Sequence, residues 1–167
     1  MFPGPFILVT FMILAEIAIS AEPWRSVNDG VMGGISSGGM VRVDDQLRFE
    51  GELSLENNGG FASVRRLVDL EISAAVGVRL KLRGDGREYQ FRLRTHDRLD
   101  GIAWRAKFQT TGDWQTVNLE FKEFEPVFRG RLLADAGPLI PGEIRQIGLM
   151  LADKQPGRFR LDIRSFE

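Results

Sequence analysis

Thiol chemistry is closed to this chain of 167 residues, which has no cysteine, and imidazole chemistry is narrow, because His96 is its only histidine. Neither a disulfide, a thiolate nucleophile nor a multi-histidine metal site can be built from that set. His96 falls where a strand is expected to end, a place for a hydrogen-bonded surface residue rather than a general base, and no nucleophile–base constellation is visible around it. Asp97, Arg98 and Asp100 beside it read as a solvated polar tip. Asp29, Asp85 and Asp153 lie in loop-like stretches, where a short carboxylate bonds nearby backbone N–H groups and makes a turn. Calcium would be the alternative use, but it takes roughly six to eight oxygens and no dense acidic cluster accompanies these aspartates. No catalytic residue, metal or cofactor is therefore expected.

Arginine carries more information. Arg65, Arg87, Arg129 and Arg131 stand in blocks rich in glycine and aromatic residues. The guanidinium is planar, permanently charged and shaped for bidentate pairing with carboxylates. One account clamps Arg129 or Arg65 to Asp29 or Asp85 and so holds loops in place; the other turns these donors towards an anionic or sugar ligand. The first is favoured. With Asn28 they make up the candidate binding set: Asn28, Asp29, Arg65, Asp85, Arg87, Arg129 and Arg131.

These residues need elements to hold them. Trp24–Gly39 contains five glycines among Asn28, Asp29 and three serines, and it reads as two tight turns around Val31-Met32. A shaped loop is expected, with Val31 and Met32 as an apolar plug in one end of the fold. From Val41 onward apolar residues recur at every second position: Leu47, Phe49, Leu53; Val76, Val78, Leu80, Leu82; Tyr89, Phe91, Leu93; Ile102, Trp104, Ala106, Phe108; Ile147, Leu149, Leu151; Phe159, Leu161, Ile163. Period two without a long helical period indicates strands with one buried face, stacked as an antiparallel β-sandwich. Gly84-Asp85-Gly86 and Thr111-Gly112-Asp113 read as hairpin turns. Phe121–Pro141, broken by three prolines and two glycines, reads as a long loop with a short helical turn. Gly33-Gly34 and Gly59-Gly60 precede strand-like sequence, so no phosphate-cradling helix N-terminus follows them.

Several blocks share an order with a known family. Trp24-x-x-Val27-Asn28-Asp29-Gly30-Val31-Met32-Gly33-Gly34-x-Ser36 opens the series. Phe49-Glu50-Gly51, Asn57-Asn58-Gly59-Gly60-Phe61-Ala62-Ser63-Val64-Arg65 and Arg83-Gly84-Asp85-Gly86-Arg87-x-Tyr89 follow it. Trp114-Gln115-x-Val117, Phe128-Arg129-Gly130-Arg131, Ile147-Gly148-Leu149 and Gly157-x-Phe159-x-Leu161 complete it. In this the chain resembles the complex I intermediate-associated protein 30 family from Trp24 to its last residue. The resemblance implies a galactose-binding-domain-like jelly roll, and a role as a chaperone-like factor in assembling respiratory complex I.

The remaining expectations concern placement and partners. Residues 1–21 hold the apolar run Phe6–Ala15 followed by Ala18, Ser20 and Ala21, with Glu16 as their one charge. A cleaved signal peptide is the first reading, an uncleaved membrane anchor the second and a mis-assigned start the third. Export to a periplasm or outside the cell, or else membrane anchoring, follows from the choice. A single domain is expected over residues 22–167, in which 22 basic residues balance 22 acidic ones, so net charge draws it to neither nucleic acid nor anionic lipid. The function expected is a non-enzymatic binding module with a protein partner, a membrane-complex subunit among the candidates. A carbohydrate-binding module of an exported protein is the alternative. Sugar binding is disfavoured because Trp104 and Trp114 belong to packing patterns, leaving only Trp24 for exposure. Protein contacts are expected through Phe121–Pro141 and the Arg129-Gly130-Arg131 turn.

Overall fold

The computed structural model describes residues 23–167, so the apolar segment and its cleavage lie outside the described residues. The first half of the domain supplies β1 (Arg25–Ser26), β2 (Ser37–Val43), β3 (Gln46–Leu53), β4 (Ala62–Leu67), β5 (Gly77–Arg83) and β6 (Glu88–Arg94). The second supplies β7 (Ala103–Gln109), β8 (Gln115–Glu120), β9 (Glu125–Phe128), β10 (Arg131–Leu132), β11 (Gln146–Leu151) and β12 (Gly157–Phe166). They form two antiparallel sheets: sheet A in the order β1-β4-β11-β6-β7-β9-β10 and sheet B in the order β2-β3-β12-β5-β8. This is the expected all-β sandwich.

Alternation explains why the sheets stack. Leu47, Phe49 and Leu53 of β3, Leu80 and Leu82 of β5, and Phe159, Leu161 and Ile163 of β12 point inward from sheet B. Val64, Tyr89, Phe91, Leu93, Trp104, Phe108, Leu149 and Leu151 meet them from sheet A. Each fully buried large apolar side chain contributes about 1.5–3 kcal/mol. Aromatic rings interlock at the centre, with Phe49 4.9 Å from Phe159 in an edge-on arrangement.

Both expected hairpins prove to be crossings between sheets. Gly84–Gly86 leads from β5 of sheet B to β6 of sheet A, and Thr111–Asp113 leads from β7 of sheet A to β8 of sheet B. A Gly-Asp turn marks a reversal of the chain, but the reversal serves equally to carry it over the edge of a sandwich. The two crossings lie side by side: the Gly84 N–H donates to the Thr111 carbonyl at 3.1 Å, and a Cβ on Gly84 would come within 2.3 Å of the Thr110 side chain. Phe121–Pro141 also departs from expectation. It does contain short helical turns at Phe121–Glu123 and Pro141–Glu143, but β9 pairs with β7 and β10 in spite of Pro126. Pro126 sits on a short strand where a missing N–H is tolerated.

The tryptophans divide three ways. Trp104 is buried in the core as expected. Trp24 is half-buried, its ring 5.7 Å from Phe166, and so is not the free aromatic that its position promised. Trp114 is absent from the core cluster and lies half-buried on the outer side of sheet B, with Arg164 3.9 Å and Arg83 4.9 Å from its ring.

Candidate functional site

The glycine-rich loop between β1 and β2 is organised by one carboxylate. Asp29 is fully buried and begins a single helical turn, Asp29–Met32. Its Oδ1 accepts from the Ser36 N–H at 2.9 Å, and its Oδ2 accepts from the N–H groups of Gly60 at 2.7 Å and Phe61 at 3.3 Å. Burial pushes this carboxyl up, but the hydrogen bonds from Ser36, Gly60 and Phe61 outweigh it and hold Asp29 below the ordinary carboxylate range. Asn28 works beside it: its Nδ2 donates to the Gly38 carbonyl and its Oδ1 accepts from the Ser63 N–H, each at 3.1 Å. Gly33 closes the turn at φ +88°, a conformation that costs other residues dearly. Gly34 is required for a different reason, since a Cβ there would lie 2.4 Å from the Asp29 carboxyl carbon.

Val31 and Met32 do not plug the sandwich. They are 74% and 64% exposed, and Ile35 follows at 57%. The helical turn buries Asp29 and turns the apolar side chains outward, so the polar residue is the anchor and the apolar ones form the tip.

Asp85 and Arg87 belong to a second structure, on the crossing from β5 to β6. Arg87 grips Asp153 in a fork, Nε to Oδ2 at 2.8 Å and Nη2 to Oδ1 at 2.6 Å, and also donates to the Gln155 carbonyl. That pair fastens the loop between β11 and β12. It raises the Arg87 pKa and, against the upward push of burial, lowers that of Asp153. Asp85 accepts from the Tyr89 hydroxyl at 3.0 Å and the Arg160 N–H at 2.8 Å. The expected clamp therefore exists with other partners: neither Arg65 nor Arg129 touches Asp29 or Asp85. Arg129 pairs instead with Asp100 at 2.8 Å on the exposed rim, and Arg131 is exposed in β10. Arg65 donates from Nη1 to the Leu99 carbonyl, 2.5 Å away.

The outer face of sheet A holds what the sequence reading passed over. Strand register sets Arg25, Arg65, Gly148, Arg92, Arg105 and Glu125 in one row across six strands. Arg94 lies one row further along, opposite Gln146. Arg92 and Arg94 are 9% and 3% exposed, although alternation assigns both to the wet side of β6. Burial and neighbouring arginines lower the pKa of Arg92 to about 10 and that of Arg94 to about 9. Two arginines two apart in a long alternating strand are the signal that could have drawn attention to this face.

Among the described residues no group of three or more His, Cys, Asp or Glu is placed to hold a metal ion. The seven predicted residues thus fall in three places: Asn28 and Asp29 in the loop, Asp85 and Arg87 on the crossing, and Arg65, Arg129 and Arg131 on or beside sheet A.

Comparison with known proteins places this geometry. Solved structures with the same architecture include the family 11 carbohydrate-binding module of a cellulosomal cellulase from Clostridium thermocellum, with a TM-score of 0.65 at 17% identity, covering 92% of this chain and 94% of the module. An agarase contains a similar region, with a TM-score of 0.54 at 12% identity, covering 87% of this chain and 22% of the enzyme. At such identities the likeness speaks for the fold, a galactose-binding-like jelly roll. Among curated proteins, the mitochondrial Complex I intermediate-associated protein 30 of Mus musculus is 34% identical over 89 residues, which is 50% of this chain and 27% of the mouse protein. The match thus spans little more than a quarter of that relative's length. The model of the Complex I intermediate-associated protein 30 family matches residues 15–163, nearly the whole sequence, and the chain belongs to that family.

Proposed function

We propose that this domain is a non-enzymatic, protein-binding module that presents the Val31–Ile35 tip to a protein partner in the manner of an assembly factor. One observation carries the reading: three apolar side chains, more than half exposed, sit on a loop that a buried carboxylate holds still. Exposed apolar groups have no use in a solvated turn, whereas a protein interface removes them from water. A tip already ordered in the free protein loses little further entropy on docking. Methionine suits such a contact because its side chain adapts to irregular surfaces. The name of the mouse relative, an intermediate-associated protein of complex I, supports a membrane-complex subunit as the partner. Export through residues 1–21 is part of the same proposal, and mass spectrometry of the mature N-terminus checks it.

Sugar binding is the weaker reading despite the fold. Glycan sites stack an aromatic ring on the sugar, and here Trp24 leans on Phe166, Trp104 is in the core and Trp114 is occupied by two guanidiniums. Arg129 and Arg131 of the β9–β10 hairpin form a further contact surface at the opposite edge of sheet A from β1.

A photo-crosslinking residue at position 32 tests the proposal against the same residue at Val41, which is exposed on β2. Crosslinks to one protein from position 32 alone, lost on Val31→Ser, are expected. Equal labelling from both positions, or micromolar sugar binding by calorimetry that disappears in Trp24→Ala, overturns it.

A further inference from the structure

We propose that the outer face of sheet A holds an oxyanion site, in which Arg65, Arg92 and Arg94 bind one carboxylate or phosphate group above Gly148. The site does not depend on the protein-binding reading of the loop tip.

The register builds it. Gly148 of β11 stands between Arg65 on β4 and Arg92 on β6, and it is the one position in that row with no side chain, which leaves a notch between two guanidiniums. A Cβ at Gly148 would come within 2.8 Å of the Val64 carbonyl oxygen, so the backbone approach keeps the notch free of side chain. Ser63, Arg94 and Met150 complete its lining. Arg105 lies directly opposite Arg92 on β7, adding a fourth guanidinium. Like charges set directly across a pair of strands repel.

The partners these arginines have are mostly neutral. Arg92 reaches the Gln90 side-chain oxygen at 3.3 Å and the Met150 sulfur at 2.9 Å. Arg65 reaches the Leu99 carbonyl, and Asp100 near it is already bonded to Arg129. Arg105 has Glu125 at 3.5 Å. Arg94 is 97% buried, and the Nε atoms of Arg65, Arg92 and Arg94 are all buried without an acceptor. Unpaired buried charge is among the most expensive features a fold can carry, and an anion that accepts from several of these donors removes the cost. Planar guanidiniums lining one notch suit the oxygens of a carboxylate or a phosphate.

No water-sized sphere fits between the guanidiniums as they stand. Binding of an anion therefore requires the arginine side chains to open about their flexible stems.

The test measures the unfolding midpoint of the purified domain in sodium phosphate, sodium acetate and sodium chloride at equal ionic strength. A saturating rise in phosphate or acetate, beyond that in chloride, is expected, and the better anion identifies the ligand as phosphoryl or carboxylate. Arg94→Met should raise the midpoint in chloride and weaken the anion response about tenfold or more. Arg65→Gln, at a half-buried position, provides the same reading should Arg94→Met not fold. Arginine Nε–Hε signals followed by nuclear magnetic resonance during the titration should move for Arg65, Arg92 and Arg94 and stay still for Arg160 of sheet B. Equal rises in all three salts, an undiminished response in the folded variants, or signals that move equally on both sheets would overturn the site.

Discussion

Asp29 and Met32 are three residues apart and have opposite fates. Removing the Asp29 side chain strips acceptors from three backbone N–H groups, and each orphaned donor costs about 1–3 kcal/mol, so Asp29→Ala should lose roughly 3 kcal/mol or more of stability in denaturant melts. Gly34→Ala should follow the same course more mildly by pushing the carboxylate off its donors. Met32→Asp, in contrast, should change stability by less than about 0.5 kcal/mol, because the side chain is mostly in water. The sequence made the loop and its turn-forming aspartate legible, through Asn28, Asp29 and the flanking glycines. It misdirected the reading of Val31 and Met32. Apolar character says that a side chain gains from burial, not whether the domain itself or a partner supplies the cover. The burial of Arg92 and Arg94 was not legible for a related reason: period two tells which face of a strand a side chain is on, and a central strand of a wide sheet can be covered on both.

At the scale of the elements, ion pairs fasten what the turns only direct. The Arg87–Asp153 fork ties the crossing from β5 to β6 onto the loop after β11, and both side chains are nearly buried, 11% and 5% exposed. Arg87→Ala should cost about 3 kcal/mol, since it leaves a buried carboxylate without its cation. On sheet B, Asp162 is 1% exposed and accepts from Arg48 at 2.7 Å, Arg83 at 3.0 Å and Arg160 at 3.0 Å. Burial raises its pKa, but the bonds from Arg160, Arg48 and Arg83 prevail and lower it from 3.8. A folded-state pKa below the unfolded value means that stability is complete above about pH 4 and is lost as pH falls through the lowered value. Asp29 and Asp153 act in the same direction. Thermal melts between pH 7 and pH 2 should therefore show an acid limb that is shallower in Asp162→Asn than in the parent. Glycine and aspartate announced the places where strands end; which sheet the next strand joins was not legible, because it is decided by core faces that meet across the sandwich rather than by the turn.

Across the whole molecule, the all-β architecture was readable because burial in a two-sheet sandwich imposes period two on nearly every strand, from Leu47 to Ile163. Order within the sheets was not, since it depends on pairing between distant segments. Those pairings have a temporal side. β11 lies between β4 and β6 at the heart of sheet A, and β12 lies between β3 and β5 at the heart of sheet B, so each sheet is completed by one of the domain's two final strands. Before they arrive, β4 and β6 have no strand between them, nor do β3 and β5. Such non-local closure makes for folding in about milliseconds to seconds once the chain is whole, which stopped-flow refolding can time. A domain with its keystones last has both sheets open at the middle until nearly all of it has been made.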